Sequence, residues 1–300
     1  MADVTVAAVR RVRGRTAVRW LIPVLVAVGL LGLVLRFVGD GTRLFWTDEA
    51  ITAMRTAGFT GADLVKGTVN GRTQTFAAIA NYAGRGTMRP LGDVVRSLAI
   101  EDAQHPPVYY LATGAWTRLF GASIPSIRAP ALLFGILVPF AVAWMCFELY
   151  GTKTSAALGF ALSAVSPVLV IYTQQAREYG LWAFFVAAST AMFLRAIRSH
   201  SRRLWLVYGL CSVLGLYTDP LFVTVLIAHG IFAAFRLRGI PLRWFLIASG
   251  LVALAYVPWV VAILQHIRAI ELSNAWTAGP WRTRIAFGDA CIWIRTAPGT

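Results

Sequence analysis

The sequence predicts an all-α integral membrane protein, a bundle of helices that cross the bilayer several times. The 300 residues are 58% hydrophobic and have a mean hydropathy of +0.65, which is far above the range of a soluble globular domain. The apolar residues are gathered into runs of the length that transmembrane helices require. The net charge of +15 comes mainly from arginines clustered between these runs, as the positive-inside rule predicts for cytoplasmic loops. This distribution argues against nucleic acid as a partner.

The first apolar run, from Trp20 to Val38, predicts a transmembrane helix that the mature protein retains. It follows a basic segment, residues 1–19, which the positive-inside rule places in the cytoplasm. A signal peptide would have a shorter apolar core and a cleavage site of small residues. We expect Arg36, near the outer end of the run, to extend its guanidinium to the membrane interface. The protein is therefore predicted to be a multi-pass protein of the cell membrane with a cytoplasmic N-terminus.

Residues 40–123 are predicted to form a loop on the extracytoplasmic side. Short interfacial helices are expected in it from about residue 48 to 57 and from about 91 to 100. Between them, residues 61–90 are rich in Gly, Thr, Asn and Arg, and no regular structure is predicted there.

The segment Pro106–Gly121, at the end of this loop, decides the topology of the later spans. It is short for a transmembrane helix and contains Arg118. If it crossed, two arginine clusters, at 195–203 and 236–243, would lie outside, against the positive-inside rule. We therefore expect it to lie along the outer interface, where its aromatic residues are favourable. The seven predicted spans are then 20–38, 124–149, 155–172, 180–197, 204–218, 220–236 and 244–264, a membrane domain over 20–264 that is followed by an extracytoplasmic tail, 265–300.

This topology brings several polar groups to the outer side of the membrane. Asp48 and Glu49 directly follow the first span. In one interpretation, Asp48 caps a helix and Glu49 lies in its first turn. In the other, the carboxylates do chemistry, because carboxylates at the mouth of a bilayer are costly to desolvate and are usually functional.

Glu101, Asp102 and His105 precede the interfacial segment and also allow two interpretations. Imidazole and carboxylate groups are typical ligands of zinc or manganese, so a divalent metal is one candidate cofactor. Their spacing matches no strict ligand motif, and we assign no metal ligand. The alternative is a helix start, with acidic residues near the N-terminus and proline in the first turn.

Two arginines on the outer side are candidates for binding a phosphate. Arg128 opens the second span, and a guanidinium there can hold a phosphate through two hydrogen bonds. Arg177 lies between the third and fourth spans and precedes Glu178, so an exposed ion pair is the alternative. His229 lies inside an apolar span and is expected to be packed or to make interhelical hydrogen bonds.

Five segments together resemble glycosyltransferase family 39. They are FWTDEA, EDAQHPPVYYLATGAWTRLFG, SIRAPALLFG, SPVLVIYTQQAREYGLWAF and LYTDPLFVTVLIAHGIF, in this order between about Arg19 and Gln265. The family includes the protein O-mannosyltransferases and their bacterial relatives and belongs to the GT-C superfamily. The aminoarabinose transferases of lipid A are more distantly similar. The resemblance implies a GT-C-type multi-span bundle with an outward-facing cavity and a polyprenyl-phosphate-linked sugar donor.

By position, the resemblance also implies roles for individual residues. Asp48 matches the catalytic base of the first outer loop, and Glu49 matches its neighbour. His105 matches the histidine of a His-Pro-Pro motif, Arg128 the arginine that opens the second span, and Arg177 the arginine of a Gln-Glu-Ala-Arg-like motif. We therefore predict Asp48 and Glu49 as catalytic residues. The predicted substrate-binding residues are Asp102, His105, Arg128, Gln175, Arg177, Glu178 and Tyr179.

The chain departs from the family pattern at three points. Gln175 stands where many relatives have glutamate, and Asp219 stands where they often have histidine. Relatives are also much longer, which implies that the tail, 265–300, is the start of a truncated region.

The sequence therefore predicts a membrane glycosyltransferase. It would move a sugar from a polyprenyl-phosphate-linked donor to a hydroxyl of an unidentified acceptor (a protein, lipid or glycan), with inversion, on the extracytoplasmic side. No glycine-rich nucleotide-binding loop occurs in the sequence, which agrees with a lipid-linked donor, and no cofactor is assigned. The alternative is a non-catalytic module that binds or transports polyprenyl lipids, although transporters usually place their polar groups at the membrane midplane.

Overall fold

The computed structural model describes residues 20–38, 43–199 and 201–268, and within these ranges the chain has no β-strand. The helices are α1 (Trp20–Leu35), α2 (Thr47–Thr56), α3 (Gly61–Thr68), α4 (Phe76–Ala80), α5 (Leu91–Glu101), α6 (Pro107–Phe120), α7 (Ile124–Tyr150), α8 (Lys153–Val165), α9 (Pro167–Thr173), α10 (Tyr179–Ser199), α11 (Arg202–Leu216), α12 (Val223–Arg236) and α13 (Gly239–Gln265). Single 3₁₀ turns lie at Asn81–Ala83 and Pro220–Phe222. The all-α fold is confirmed. The predicted cytoplasmic segment, 1–19, and most of the predicted tail lie outside the described residues.

Among the described residues, three single helices are long and apolar enough to cross a bilayer, α7, α10 and α13. The pair α8 and α9 is bent by 58° and adds a fourth if the two helices form one broken span. These helices confirm an integral membrane protein. Shorter apolar helices lie at Trp20–Leu35 and Pro220–Arg236, and α11 has 15 residues. Helices thus occur at all seven predicted positions, while the count of seven spans stays a prediction.

The bend between α8 and α9 lies at Pro167, and Arg36 stabilises it. Proline has no amide hydrogen, so the carbonyl of Ser163 has no partner four residues later. Instead, Arg36 Nη1 donates to the Ala164 oxygen at 2.6 Å and Nη2 donates to the Ser163 oxygen at 3.3 Å. The prediction that Arg36 reaches the interface was wrong. The side chain is fully buried because carbonyls inside the bundle need donors.

Helix α7 is the centre of the bundle and packs against α8 and α10, and α10 packs in turn against α11. Gly135 of α7 and Gly180 of α10 allow a close approach: a Cβ at Gly135 would collide with Thr173 of α9, and a Cβ at Gly180 would lie 3.1 Å from a backbone oxygen of α7. Small residues at helix crossings are typical of membrane bundles. The crossing lies three residues beyond Arg177, so it fixes the connection between α9 and α10.

The interhelical role expected for His229 is confirmed. Its Nε2 lies 3.2 Å from Thr190 Oγ1 of α10, and its Nδ1 lies 3.2 Å from the Tyr208 hydroxyl of α11. The histidine therefore links three helices inside the bundle.

The predicted outer loop contains more helix than was expected from the sequence. Helices α2 and α5 confirm the two predicted helices, and α3 and α4 form between them, where no secondary structure was assigned from the sequence. Thr60 Oγ1 accepts from the Asp63 amide at 3.0 Å, and Asp63 Oδ2 accepts from the Thr60 amide at 2.9 Å. Glu101 of α5 also accepts from the Gly61 amide at 2.6 Å. This capping compensates for the low helix propensity of a segment rich in glycine and threonine.

Helix α6 packs against α2, α5 and α7. Its first turn is tied to the end of α11, because the Val108 amide donates to the Tyr217 oxygen at 3.0 Å. Trp259 of α13 donates through Nε1 to the Ala103 oxygen at 3.0 Å. These bonds hold the segment that carries Asp102 and His105 against the bundle. They agree with an interfacial position for α6, which stays a prediction.

Candidate active site

A cavity of about 410 Å³ opens between the outer loop and the connection from α9 to α10. Its lining residues are Asp48, Ile51, Met54 and Arg55 of α2, Gly61, Glu101, Asp102, Gln104 and His105 from later in the loop, and Arg177. Four of the predicted site residues, Asp48, Asp102, His105 and Arg177, therefore share one cavity.

The first turn of α2 directs its two carboxylates to different places. Asp48 is half-buried and lines the cavity, whereas Glu49 is completely buried. Neighbouring side chains on a helix point about 100° apart. The side of α2 that carries Glu49 also carries Ala53, which packs with Ile127 and Ala176. Burial of this apolar side draws Glu49 into the protein and leaves Asp48 at the cavity.

Glu49 and Arg128 form a buried ion pair through two parallel hydrogen bonds. Arg128 Nε donates to Glu49 Oε1 at 2.7 Å, and Nη2 donates to Oε2 at 2.8 Å. The Ala176 amide also donates to Glu49 Oε1, at 2.9 Å. One carboxylate therefore joins α2, the start of α7 and the α9–α10 connection.

This pairing bears on the predicted roles of both residues. The Glu49 side chain is 0% exposed and that of Arg128 is 2% exposed, and neither lines the cavity. Glu49 adjoins Asp48, and its hydrogen-bond partner Ala176 adjoins Arg177. The geometry favours a supporting role, in which the pair sets the positions of Asp48 and Arg177. A catalytic role for Glu49 and a phosphate-binding role for Arg128 stay predictions.

Arg177, Glu178 and His105 form a second polar cluster, at the cavity wall. His105 Nδ1 lies 3.0 Å from Glu178 Oε1, and Arg177 Nη2 donates to the same oxygen at 3.1 Å. Burial favours a neutral Glu178, but the hydrogen bond with His105 and the charge of Arg177 lower its pKa overall. Glu178 does not line the cavity. Its carboxylate holds the two side chains that do.

The carboxylates of this cluster favour the charged forms of His105 and Arg177, whereas the charge of Arg177 opposes protonation of His105. Burial lowers the pKa of His105, but the hydrogen bond and charge of Glu178, together with the charge of Asp102, raise it above its ordinary value. Burial also lowers the pKa of Arg177, and the neighbouring groups, including Glu178 and Asp48, raise it overall. Arg177 is therefore a permanent positive charge in the vicinity of Asp48.

The other residues of the α9–α10 connection hold it in place. Gln174 Nε2 lies 3.2, 2.9 and 3.0 Å from three backbone carbonyl oxygens just at and after the end of α1, and its two hydrogens are shared among them. Gln175 is partly buried and does not line the cavity. The ring of Tyr179 lies 5.6 Å from the Arg177 guanidinium. Gln175 and Tyr179 therefore flank the cavity rather than line it.

Arg55 and Glu101 also line the cavity but were not among the predicted site residues. Arg55 follows Asp48 by seven residues, so the helical period alone places both on one face of α2. Arg55 Nη1 pairs with Glu101 Oε2 at 2.8 Å. Burial raises the pKa of Glu101, but the hydrogen bonds from Arg55 and from the first amides of α3 lower it overall. The partners of Glu101 could not be identified from the sequence, because they lie 39 to 46 residues away.

The described residues contain no group of three or more side chains that could hold a metal ion. Asp102 and His105 do approach each other, with 3.9 Å between Oδ1 and Nε2. Two ligands are too few for a zinc site of the usual kind.

Comparison with known proteins identifies the family. Neither curated proteins nor solved structures gave a significant match. A profile of one family, described as dolichyl-phosphate-mannose-protein mannosyltransferase, matches residues 104–262, which is more than half of the chain. The match includes His105, Arg128 and Arg177, and Asp48 precedes it. The chain belongs to the dolichyl-phosphate-mannose-protein mannosyltransferase family of membrane glycosyltransferases.

Proposed function

We propose that this protein transfers a sugar from a polyprenyl-phosphate-linked donor to an acceptor hydroxyl, on the extracytoplasmic side and with inversion. One observation carries the proposal: Asp48 and Arg177 line the same cavity. Within the described part of the chain, Asp48 makes no hydrogen bond or ion pair. A carboxylate without such a partner is available to accept a proton from a substrate.

In this mechanism, Asp48 takes the proton of the acceptor hydroxyl while the hydroxyl oxygen bonds to the anomeric carbon of the sugar. The bond between that carbon and the phosphate oxygen breaks, and its electron pair leaves with the phosphate. Attack from the face opposite the leaving group inverts the configuration. A general base of this kind contributes about 10²–10⁴-fold to the rate.

Arg177 is the cation best placed to stabilise the departing phosphate. Its side chain is 6% exposed, and its Nε has no hydrogen-bond partner among the described residues. Glu178 and His105 hold the guanidinium at the cavity wall. A fixed charge shielded from water stabilises developing negative charge more strongly than the same charge in water. Arg128, by contrast, faces Glu49 away from the cavity.

Substitution of Asp48 tests the proposal in the full-length protein, reconstituted in lipid nanodiscs with polyprenyl-phosphate-linked mannose as donor. Asparagine has nearly the same shape as aspartate but cannot take the proton. Asp48→Asn should lower the transfer rate about 10²-fold or more, with donor binding and melting temperature unchanged. The matched control is Asp93→Asn, in the first turn of α5 and outside the cavity lining, which should keep its activity.

Two outcomes would count against this mechanism. Turnover by Asp48→Asn within a few-fold of the wild type would exclude Asp48 as the base and make Asp102 or Glu49 the candidate. Donor binding by the wild-type protein without any sugar transfer would favour the non-catalytic lipid-binding module.

A further inference from the structure

A groove of about 530 Å³ lies between α7, α10 and α12, remote from the candidate active site. Its lining includes residues of all three helices: Met145, Leu149, Val186, Leu194, Ala228 and Phe232. Leu149 and Leu194 directly adjoin Glu148 and Arg195, at the ends of α7 and α10. Roughly 30 Å of α7, about the thickness of a hydrocarbon core, separates Glu148 from Arg128 near the cavity. The groove therefore reaches the opposite end of the bundle, which is predicted to be cytoplasmic.

The lining is suited to a hydrocarbon chain. Its bonded polar side chains are satisfied within the protein: Thr190 donates to the Val186 oxygen at 2.7 Å and Thr224 donates to the Leu221 oxygen at 2.8 Å. The third, His229, is bonded to α10 and α11 as described above. From Leu194 to Val186 the groove follows α10 for roughly 12 Å, close to half the thickness of a hydrocarbon core. An acyl chain from one leaflet matches this length.

Two arginines are held at this end of the groove by a buried carboxylate. Glu148 Oε1 accepts from Arg195 Nη1, and Oε2 accepts from Arg198 Nη1, each at 3.1 Å. Trp144 Nε1 also donates to Oε1, at 3.0 Å. The Glu148 side chain is 5% exposed, whereas those of Arg195 and Arg198 are 53% and 52% exposed. One carboxylate thus fixes two half-exposed guanidiniums and neutralises only one of their charges.

The head of a ligand, rather than its chain, must decide what this groove selects. Lipid tails are as apolar as the lining, so an apolar groove in a bilayer discriminates little by itself. Guanidinium groups hold phosphates through paired hydrogen bonds. Positive charge also predominates on this side as a whole, where Glu148 is accompanied by eight basic residues: Lys153, Arg195, Arg198, Arg202, Arg203, Arg236, Arg238 and Arg243. The ligand therefore needs an anionic head above an acyl chain.

We propose that this groove binds an anionic phospholipid of the leaflet opposite the active site. Its phosphate lies at Arg195 and Arg198, and one acyl chain lies between α7, α10 and α12. Phosphatidylglycerol carries one negative charge, which matches the guanidinium charge that Glu148 leaves uncompensated. A zwitterionic lipid brings a cationic amine close to the two arginines, which repel it. The lipid joins α12 to α7 and α10, and its binding is independent of donor and acceptor.

Filling the groove tests where the acyl chain lies. Ala228 and Ala234 are both exposed on α12, but only Ala228 lines the groove. Native mass spectrometry of the full-length protein, titrated with phosphatidylglycerol, gives the dissociation constant. Ala228→Trp should raise this constant about tenfold, and Ala234→Trp should leave it unchanged. Unchanged affinity in Ala228→Trp, with a melting temperature that shows it is folded, would overturn the proposal.

Removal of the two arginines tests where the phosphate lies. Arg195→Gln with Arg198→Gln should weaken phosphatidylglycerol binding about 30-fold, because each arginine near a membrane surface contributes to the attraction. Addition of Glu148→Gln removes the carboxylate left unpaired, and this triple variant replaces the double variant if that one does not fold. The control, Arg203→Gln with Arg243→Gln, removes the same charge from the same side and should bind normally. Equal weakening in the control would indicate a diffuse surface attraction and overturn the site.

Competing lipids separate the proposed ligand from other occupants. Phosphatidylcholine with the same acyl chains should bind the wild-type protein at least about tenfold more weakly than phosphatidylglycerol. Equal affinity for the two lipids would overturn the role of the head group. A polyprenyl phosphate that binds more tightly than phosphatidylglycerol and is weakened by Ala228→Trp would assign the groove to that lipid instead. Loss of a dimer in Ala228→Trp, with lipid binding unchanged, would assign it to a second copy of the chain.

Discussion

At the residue scale, the buried carboxylate of Glu49 holds the segments that carry Asp48 and Arg177 together. It receives two hydrogen bonds from Arg128 and one from the Ala176 amide. Asp48 and Arg177 each adjoin one of the bonded residues. A shift of Glu49 would therefore move the proposed base and the proposed phosphate-binding group relative to each other.

We predict that Glu49→Gln acts mainly on stability. It removes the carboxylate that faces a buried guanidinium, and breaking one side of a buried pair typically costs roughly 3–5 kcal/mol of unfolding free energy. The melting temperature should fall in Glu49→Gln and stay unchanged in Asp48→Asn. The double variant Glu49→Met with Arg128→Met removes both charges and should recover much of the loss. An unchanged melting temperature for Glu49→Gln would exclude a supporting role.

We also predict that stability follows the titration of His105. Burial lowers its pKa, but Glu178 and Asp102 raise it overall, so the folded protein binds the proton more tightly than the unfolded chain does. The resulting stabilisation is complete below the ordinary pKa of 6.5 and is lost as the pH rises through the raised pKa of the folded state. The wild-type melting temperature should fall over that window more steeply than that of His105→Gln. Equal slopes would contradict the prediction.

Helix geometry alone predicts that Asp48 and Glu49 point in different directions. The sequence does not reveal which of them is buried, because the answer depends on Arg128 and Ala176, which lie 79 and 127 residues from Glu49. The surroundings of Arg177 could not be predicted either, because its partner His105 is 72 residues away.

At the scale of the element, the side chain of Arg36, which directly follows α1, holds the bent pair α8 and α9. We predict that Arg36→Met destabilises the protein, since an unsatisfied buried carbonyl costs about 1–3 kcal/mol. Pro167→Ala restores an amide that can bond the Ser163 oxygen. The effect of Arg36→Met on the melting temperature should therefore be smaller when Pro167→Ala is also present. Arg72→Met, in an exposed part of the outer loop, is the control.

Additive effects of Arg36→Met and Pro167→Ala would show that the two residues do not act on the same carbonyls. The sequence indicated an apolar run with an arginine near its end, from which snorkelling is the ordinary inference. The burial of Arg36 could not be predicted because the orphan carbonyls that it meets lie 127 and 128 residues away. Helices α2 and α5 were predictable from the local sequence. Helix α3 has a local capping signal in Thr60 and Asp63, but the distant Glu101, which also caps it, could not be predicted.

At the scale of the whole molecule, α7 provides a test of orientation. Ser123 precedes it, Lys153 follows it closely, and both are exposed. In a background without the three native cysteines, Ser123→Cys should react with an impermeant thiol reagent in intact cells. Lys153→Cys should react only after the membrane is permeabilised. The reverse pattern would place the cavity in the cytoplasm and remove the extracytoplasmic site.

The positions of the helices in the bundle follow from hydropathy, because a bilayer selects long apolar runs regardless of their partners. The cavity, by contrast, could not be predicted from hydropathy. It requires α2, the Asp102–His105 segment and the α9–α10 connection to meet, and only the resemblance to a family suggested that they would. Long-range pairs of this kind carry no local signature in a single sequence.

The hydrogen bonds that join Glu49 to Arg128 and to the Ala176 amide also set an order of events during biosynthesis. Arg128 leaves the ribosome roughly 4–16 s after Glu49, and Ala176 roughly 6–25 s after it, at ordinary elongation rates. During this interval Glu49 has neither of these partners, so its carboxylate has to remain hydrated. The loop that carries it cannot pack in its final position until the later residues have been synthesised. A nascent chain would thus acquire the complete cavity lining only after its third predicted span and the connection that follows it have been synthesised.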